Sequence, residues 1–146
     1  MMLLPNIDTE TIAPMLELYE QYPDCTRVMM GLQPESVKED YKQVLDVMEK
    51  ELERGIYVGV GEVGLDFYWD TTFEKEQLDV FETQLDWAKQ LHLPLSIHCR
   101  NAFERWYASL NTSRMAAYVV SCIVLRVRKK RPKSTLNWAS TSVWVA

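Results

Sequence analysis

Two short stretches carry the residue types that could do chemistry. Val58-Gly59-Val60-Gly61-Glu62-Val63-Gly64-Leu65-Asp66 and Leu95-Ser96-Ile97-His98-Cys99-Arg100 are apolar runs that each stop at a polar residue able to bind a metal. One helix-length segment separates them. The pattern therefore predicts strand, helix, strand, with Glu62 and His98 at equivalent strand ends. In a parallel sheet covered by helices, functional groups collect at the carboxyl edge. Neighbouring strands lie about 5 Å apart, so a carboxylate and an imidazole delivered there can share one cation.

Each residue also has a plainer reading. Glu62 could be a strand-terminal carboxylate paired with a nearby cation, and His98 a hydrogen-bonded core residue. Together they favour metal binding, although a catalytic divalent site normally takes three or more protein ligands. Asp66, expected in the loop after Glu62, could orient a ligand or a water, or simply form an Asx turn or helix-entry cap. Arg100 could grip a phosphate with its planar fork, or balance Glu62 and Asp66. Tyr68 and Trp69 either flank a substrate groove or pack at a rim. Cys99 reads as a buried small residue without a partner base, and His92 as a cap at a helix C-terminus.

The elements that must position these residues alternate along the chain. Met2-Leu3-Leu4 reads as the last part of a strand. Asp8 caps a helix carrying Ile12, Met15, Leu16, Tyr19 and Tyr22 at helical spacing. Thr26 to Leu32 is a second strand. An acidic helix from about Glu39 to Arg54 follows, with Tyr41, Val44, Leu45, Met48 and Leu52 on one face, ended by Gly55. Ile56 to Gly61 is apolar on both faces, as a buried parallel strand should be. Thr71-Thr72-Phe73-Glu74 has the form of a capping box and opens a long helix that His92-Leu93-Pro94 stops; Leu95 to Ile97 is the fourth strand. This alternation implies parallel pairing with right-handed crossovers. Spacing leaves open a doubly wound sheet or part of a (β/α)8 barrel. No dinucleotide fingerprint follows the first strand.

The bulk numbers fit an ordinary domain. The chain has 146 residues, 47% hydrophobic and 25% charged, enough for one core. No stretch approaches the roughly 20 apolar residues of a membrane span, and the N-terminus lacks the features of a signal peptide. Three scattered cysteines, Cys25, Cys99 and Cys122, fit a reduced, cytoplasmic setting. The net charge of −5 hides a break: residues 1–103 carry 8 Lys/Arg against 20 Asp/Glu, and residues 104–146 carry 8 against 1. Such asymmetry suggests two segments, 1–103 and 104–146, of different origin.

Gly61-Glu62-Val63-Gly64-Leu65-Asp66-Phe67-Tyr68-Trp69-Asp70, then Gln77-Leu78 and Phe81, then Leu93-Pro94-Leu95-Ser96-Ile97-His98-Cys99-Arg100 resemble the TatD family of metal-dependent deoxyribonucleases. The resemblance covers roughly residues 2–103, and the two blocks are specific as a pair. It implies a partial (β/α)8 barrel of about four parallel strands, divalent metal ions (Mg²⁺, Mn²⁺ or Zn²⁺) as cofactors, and DNA as the partner. It implies hydrolysis of phosphodiester bonds, with Glu62 bridging metals and His98 a metal ligand. The chain departs from the family pattern in lacking the His-x-His pair of the first strand and in carrying Gln33 where a histidine usually stands. The later His-Cys-Phe and Glu-Thr-Asp-Ser-Pro strands are also absent. With Glu62 and His98 alone, weak or no activity is expected. A non-catalytic binding or regulatory fragment is the alternative.

The resemblance gives the charge break a specific explanation, a shifted reading frame from about Glu104. Joining each codon's third base to the next two makes Met115-Ala116, Trp138-Ala139 and Trp144-Val145 encode glycine, and Asn137-Trp138 leucine. Permissible third bases then yield a stretch similar to the family's missing DGRLRG…HCFTG segment. On that reading residues 104–146 form a poorly structured basic tail. The rival reading makes the basic run 126–133 a nuclear-localisation or nucleic-acid-binding patch.

Overall fold

The computed structural model of the chain describes residues 1–113 and the strand 119–125. Five strands, β1 (Met2–Pro5), β2 (Thr26–Met30), β3 (Gly59–Asp66), β4 (Leu95–Arg100) and β5 (Val119–Leu125), alternate with four helices. These are α1 (Ile12–Gln21), α2 (Tyr41–Leu52), α3 (Glu74–Leu91) and α4 (Phe103–Ser113), with one 3-10 turn at Pro34–Ser36. To the four expected strands the structure adds β5, which pairs with β4. The expected boundary at residue 103 falls at the start of α4, which runs across it. Residues 114–118 and 126–146, including the basic run 126–133, lie outside the described residues.

Strand order decides between the two architectures that spacing left open. The sheet runs β1-β2-β3-β4-β5, and every pair is parallel. Each right-handed crossover therefore steps the same way, which puts the helices on one face. A doubly wound sheet reverses direction and carries helices on both faces. The other face here is the concave face of a partial barrel.

Local chemistry sets the ends of the elements. Gly55, at φ 67°, closes the turn after α2 as expected. Asp8 and Thr11 hold each other, Thr11 N–H donating to Asp8 Oδ1 at 2.9 Å and Asp8 N–H to Thr11 Oγ1 at 3.1 Å. Thr11 is the N-cap residue of α1 but makes no side-chain cap bond to the helix, so the pair braces the turn just before it. The capping box expected at Thr71 does not form either. Phe73 is the cap residue of α3 and makes no side-chain cap bond. Thr72 N–H turns back to Asp70 Oδ1 at 2.8 Å, so an Asx turn takes the donor side of that corner. Glu74 and Glu76 in the first turn of α3 favour the positive end of its dipole.

Helix α3 is the spine. Its Phe81, Leu85 and Ala88 pack with Val63, Leu65, Leu95, Ile97 and Trp106 in one core cluster. Its Val80 and Trp87 belong to the other, with Val28, Met30, Leu45 and Met48. Phe81 is fully buried; truncating such an aromatic costs about 3–5 kcal/mol.

Candidate metal centre

The sheet's alternation sorts the chemistry to one face. On β4, Leu95, Ile97 and Cys99 belong to the core beneath the helices, so Ser96, His98 and Arg100 point to the concave face. On β3, Val60, Val63 and Leu65 face the core together. Positions 60 and 63 can share a face only because the pairing with β4 slips between them. A bulge of this kind re-aims the side chains that follow. Without it Glu62 would point into the core, in phase with Val60; with it, Glu62, Gly64 and Asp66 join His98 and Arg100.

Two sequence expectations are corrected here. Neither Glu62 nor His98 is at a strand end, because β3 continues to Asp66 and β4 to Arg100. Asp66 is the last residue of that strand rather than part of the following loop. The sequence signal of a strand stop at Glu62 reflected the bulge and the glycines around it.

The imidazole of His98 lies between two carboxylates. Its Nε2 contacts Asp66 Oδ2 at 2.8 Å, and its Nδ1 faces Glu62 Oε1 at 3.7 Å. A carboxylate only accepts, so Nε2 carries the proton donated to Asp66. In the neutral ring that leaves the Nδ1 lone pair aimed at an anionic oxygen. Burial alone would lower the His98 pKa, but the Glu62 and Asp66 carboxylates outweigh it and raise the value. The spot between Nδ1 and Glu62 therefore calls for positive charge.

Asp66 spends both oxygens. Oδ1 accepts the Tyr68 N–H at 2.9 Å, while Oδ2 holds His98. The Asx turn and the ligand-orienting contact, weighed as alternatives from sequence, are made by one side chain. Its own backbone N–H donates to Gln77 Oε1 of α3 at 3.0 Å. Gln77 is thus a supporting residue; the sequence marked it only as part of the family pattern. A second support is Asn6, fully buried, whose carbonyl accepts the Glu62 N–H at 3.0 Å. Its side chain is locked by Thr11, Gly31 and Asp8. No motif flagged it.

Gly64 sits opposite His98 in the register. At φ 140° its backbone is in a region that side chains avoid. A Cβ there would overlap the His98 carbonyl. The glycine lets β4 approach closely enough to present the imidazole.

Arg100 pairs with neither Glu62 nor Asp66 among the described residues. Its guanidinium carbon lies 3.9 Å from the Tyr68 ring centroid and 4.9 Å from that of Trp69. Cys99 is buried, and burial pushes its thiol up to about 11. His92 is exposed in the left-handed cap of α3, as expected of a cap residue.

These residues fit part of a metal site. Two ligand atoms about 2.1 Å from a tetrahedral ion stand roughly 3.4 Å apart, close to the 3.7 Å between Nδ1 and Oε1. The Asp66 contact on the far ring nitrogen is the usual brace of a metal-bound histidine. Because Asp66 lies behind the imidazole, it does not supply a third ligand. Among the described residues no group of three or more His, Cys, Asp or Glu is arranged to hold an ion.

The sequence profile described as TatD related DNase matches residues 1–144. The chain belongs to the TatD-related DNase family. A TatD relative from Pantoea ananatis, named as a 3'-5' ssDNA/RNA exonuclease, is 31% identical over 108 residues, covering 73% of this chain and 42% of the relative. A Bacillus subtilis relative, YabD, named as an uncharacterized metal-dependent hydrolase, is 32% identical over 103 residues, covering 68% of this chain and 38% of its own. The crystal structure of YjjV, a TatD homologue from Escherichia coli K12, superposes with a TM-score of 0.70 at 28% identity, over 76% of this chain and 43% of that one. That likeness makes the fold a partial (β/α) barrel of the TatD type. The matched stretch spans 38–43% of the length of these TatD relatives, and the family match continues past residue 103 into the basic segment.

Proposed function

We propose that this chain carries part of the active site of a divalent-metal-dependent hydrolase that cleaves phosphodiester bonds of single-stranded nucleic acid. The observation behind the reading is that Glu62 Oε1 and His98 Nδ1 face each other across 3.7 Å. The family relatives named as exonucleases and as a metal-dependent hydrolase support it. Mg²⁺, Mn²⁺ or Zn²⁺ each accept such an oxygen and imidazole pair. A bound ion of this kind supplies charge neutralisation at a phosphate and a more acidic water.

The chain's own residues do the rest. Glu62 and His98 would hold the ion; Asp66 fixes the ring with Nδ1 turned toward Glu62. Gln77 and Asn6 fix the backbone of Asp66 and Glu62. Arg100 offers a planar fork to a phosphate oxygen. With two ligands from the described residues, this chain is expected to turn over slowly compared with longer relatives. The scattered cysteines support a reduced, cytoplasmic setting for that activity.

A nuclease assay on a labelled single-stranded oligonucleotide with Mg²⁺ or Mn²⁺ tests the reading. Glu62→Ala should abolish whatever metal-dependent cleavage the chain shows. Cleavage that survives the substitution would move the site elsewhere. Metal binding without cleavage would favour a second reading, a non-catalytic binding fragment, for which the two-ligand count speaks.

A further inference from the structure

We infer that Trp69, with Tyr68 and Arg100, forms a stacking subsite for an unpaired nucleobase beside the Glu62–His98 pair. The inference rests on the nucleic-acid reading above and adds what recognises the strand next to the bond that is cut.

Trp69 is the most exposed large aromatic of the chain's described residues, with 70% of its surface open. A tryptophan left in water at that level forfeits a large burial gain, and this one is nevertheless held in place. Its ring meets Tyr68 edge to face at 4.6 Å and 76°. The Arg100 guanidinium covers one face of the indole at 4.9 Å while stacking on Tyr68 at 3.9 Å. Most of the indole surface is open to solvent. The backbone beneath is fixed too, since Tyr68 N–H donates to Asp66 Oδ1, the same carboxylate that orients His98. The ring is a shelf whose position is tied to the candidate metal ligands through one side chain.

The shelf is flanked by a specific polar demand. Arg100 Nε is buried and has no hydrogen-bond partner. No carboxylate of the described residues neutralises its guanidinium. A flat π-system open to solvent next to an unpaired planar cation matches a base joined to a phosphate. Single strands are held by that combination, bases stacking on aromatic rings while the backbone meets positive charge. A paired duplex hides its base faces and cannot use the shelf.

Stacking of one base on an aromatic ring is worth about tenfold in affinity. The test uses the full 146-residue chain with Mg²⁺ and a fluorescent oligothymidylate of about eight nucleotides, made cleavage-resistant with phosphorothioate linkages. Anisotropy gives its Kd beside that of an abasic strand of the same length. The thymidylate strand should bind about tenfold tighter. Trp69→Ala should remove that difference while leaving abasic binding unchanged, and Trp69→Phe should restore part of it. Thermal melting of each variant confirms that the fold is retained. Equal binding of both strands by the unsubstituted chain, or a preference that survives Trp69→Ala, overturns the base subsite and leaves the hydrolase reading standing. Binding to neither strand overturns both.

Discussion

The two halves of the sheet end differently. At the carboxyl end of β2, Leu32 gives its N–H to Gln84 Oε1 at 2.6 Å, and its carbonyl accepts Gln84 Nε2 at 3.2 Å. Gln33, the next residue, is uncharged. At the end of β3, Gln77 of the same helix holds the N–H of Asp66, but here the strand end opens onto Glu62, His98 and Arg100. One helix thus braces both ends with a glutamine, seven residues apart in sequence. In the first case the polar groups are satisfied within the fold. In the second, the Nδ1–Oε1 gap is unfilled and Arg100 Nε is buried without a hydrogen-bond partner. The bracing belongs to the scaffold, and the proposed site lies where that bracing stops short of satisfying every group.

The largest effect should come from removing the close approach under the site. Gly64→Ala places a Cβ against the His98 carbonyl and should cost about 3 kcal/mol or more. Gly55→Ala, at φ 67° with nothing within 4 Å of the added carbon, should cost about 1 kcal/mol. Urea midpoints of the two variants read the difference. Equal losses would mean that the β3–β4 contact is not tight.

The second prediction separates scaffold from site. Gln84→Ala strands two buried groups of Leu32 and should cost about 1–3 kcal/mol with Mn²⁺ affinity unchanged. Gln77→Ala should lower stability less, since it strands one donor, yet weaken Mn²⁺ binding by calorimetry. If both variants bind Mn²⁺ as the unsubstituted chain does, the two braces are equivalent and the contrast fails.

A third test bears on Asp66 itself. Asp66→Asn keeps an acceptor for His98 but removes the charge behind the ring, and should lower Mn²⁺ affinity about 10–100-fold. An unchanged affinity would reduce Asp66 to its turn with Tyr68.

The smallest effect concerns the cysteines. Cys25 is exposed and Cys99 buried, with the Cys99 thiol pushed up to about 11. At pH 8 a thiol reagent should label Cys25 in the folded chain and Cys99 only after unfolding, as peptide mapping would show. Because the folded pKa of Cys99 lies above the unfolded value, its contribution to stability is complete below about pH 9 and falls as pH rises towards 11. Native labelling of Cys99 would show that β4 opens easily.

Sequence alone carried the alternation of strands and helices, because each element's apolar period and its glycine or proline stops are local properties. It also singled out Glu62 and His98, since a polar residue interrupting an apolar run is visible in one dimension, although neither closes its strand. The basic stretch was legible as a charge break; residues 126–146 lie outside the described residues. Tertiary structure decided the rest. The slip between Val60 and Val63 turned Glu62 out of the core, and no local signal fixes the phase of a bulge. Strand order settled a barrel-type sheet. Packing put Asp66 behind His98 and Arg100 on Tyr68 and Trp69. Those contacts depend on how far two strands lie apart and which face each residue takes, and neither is a property of a single segment.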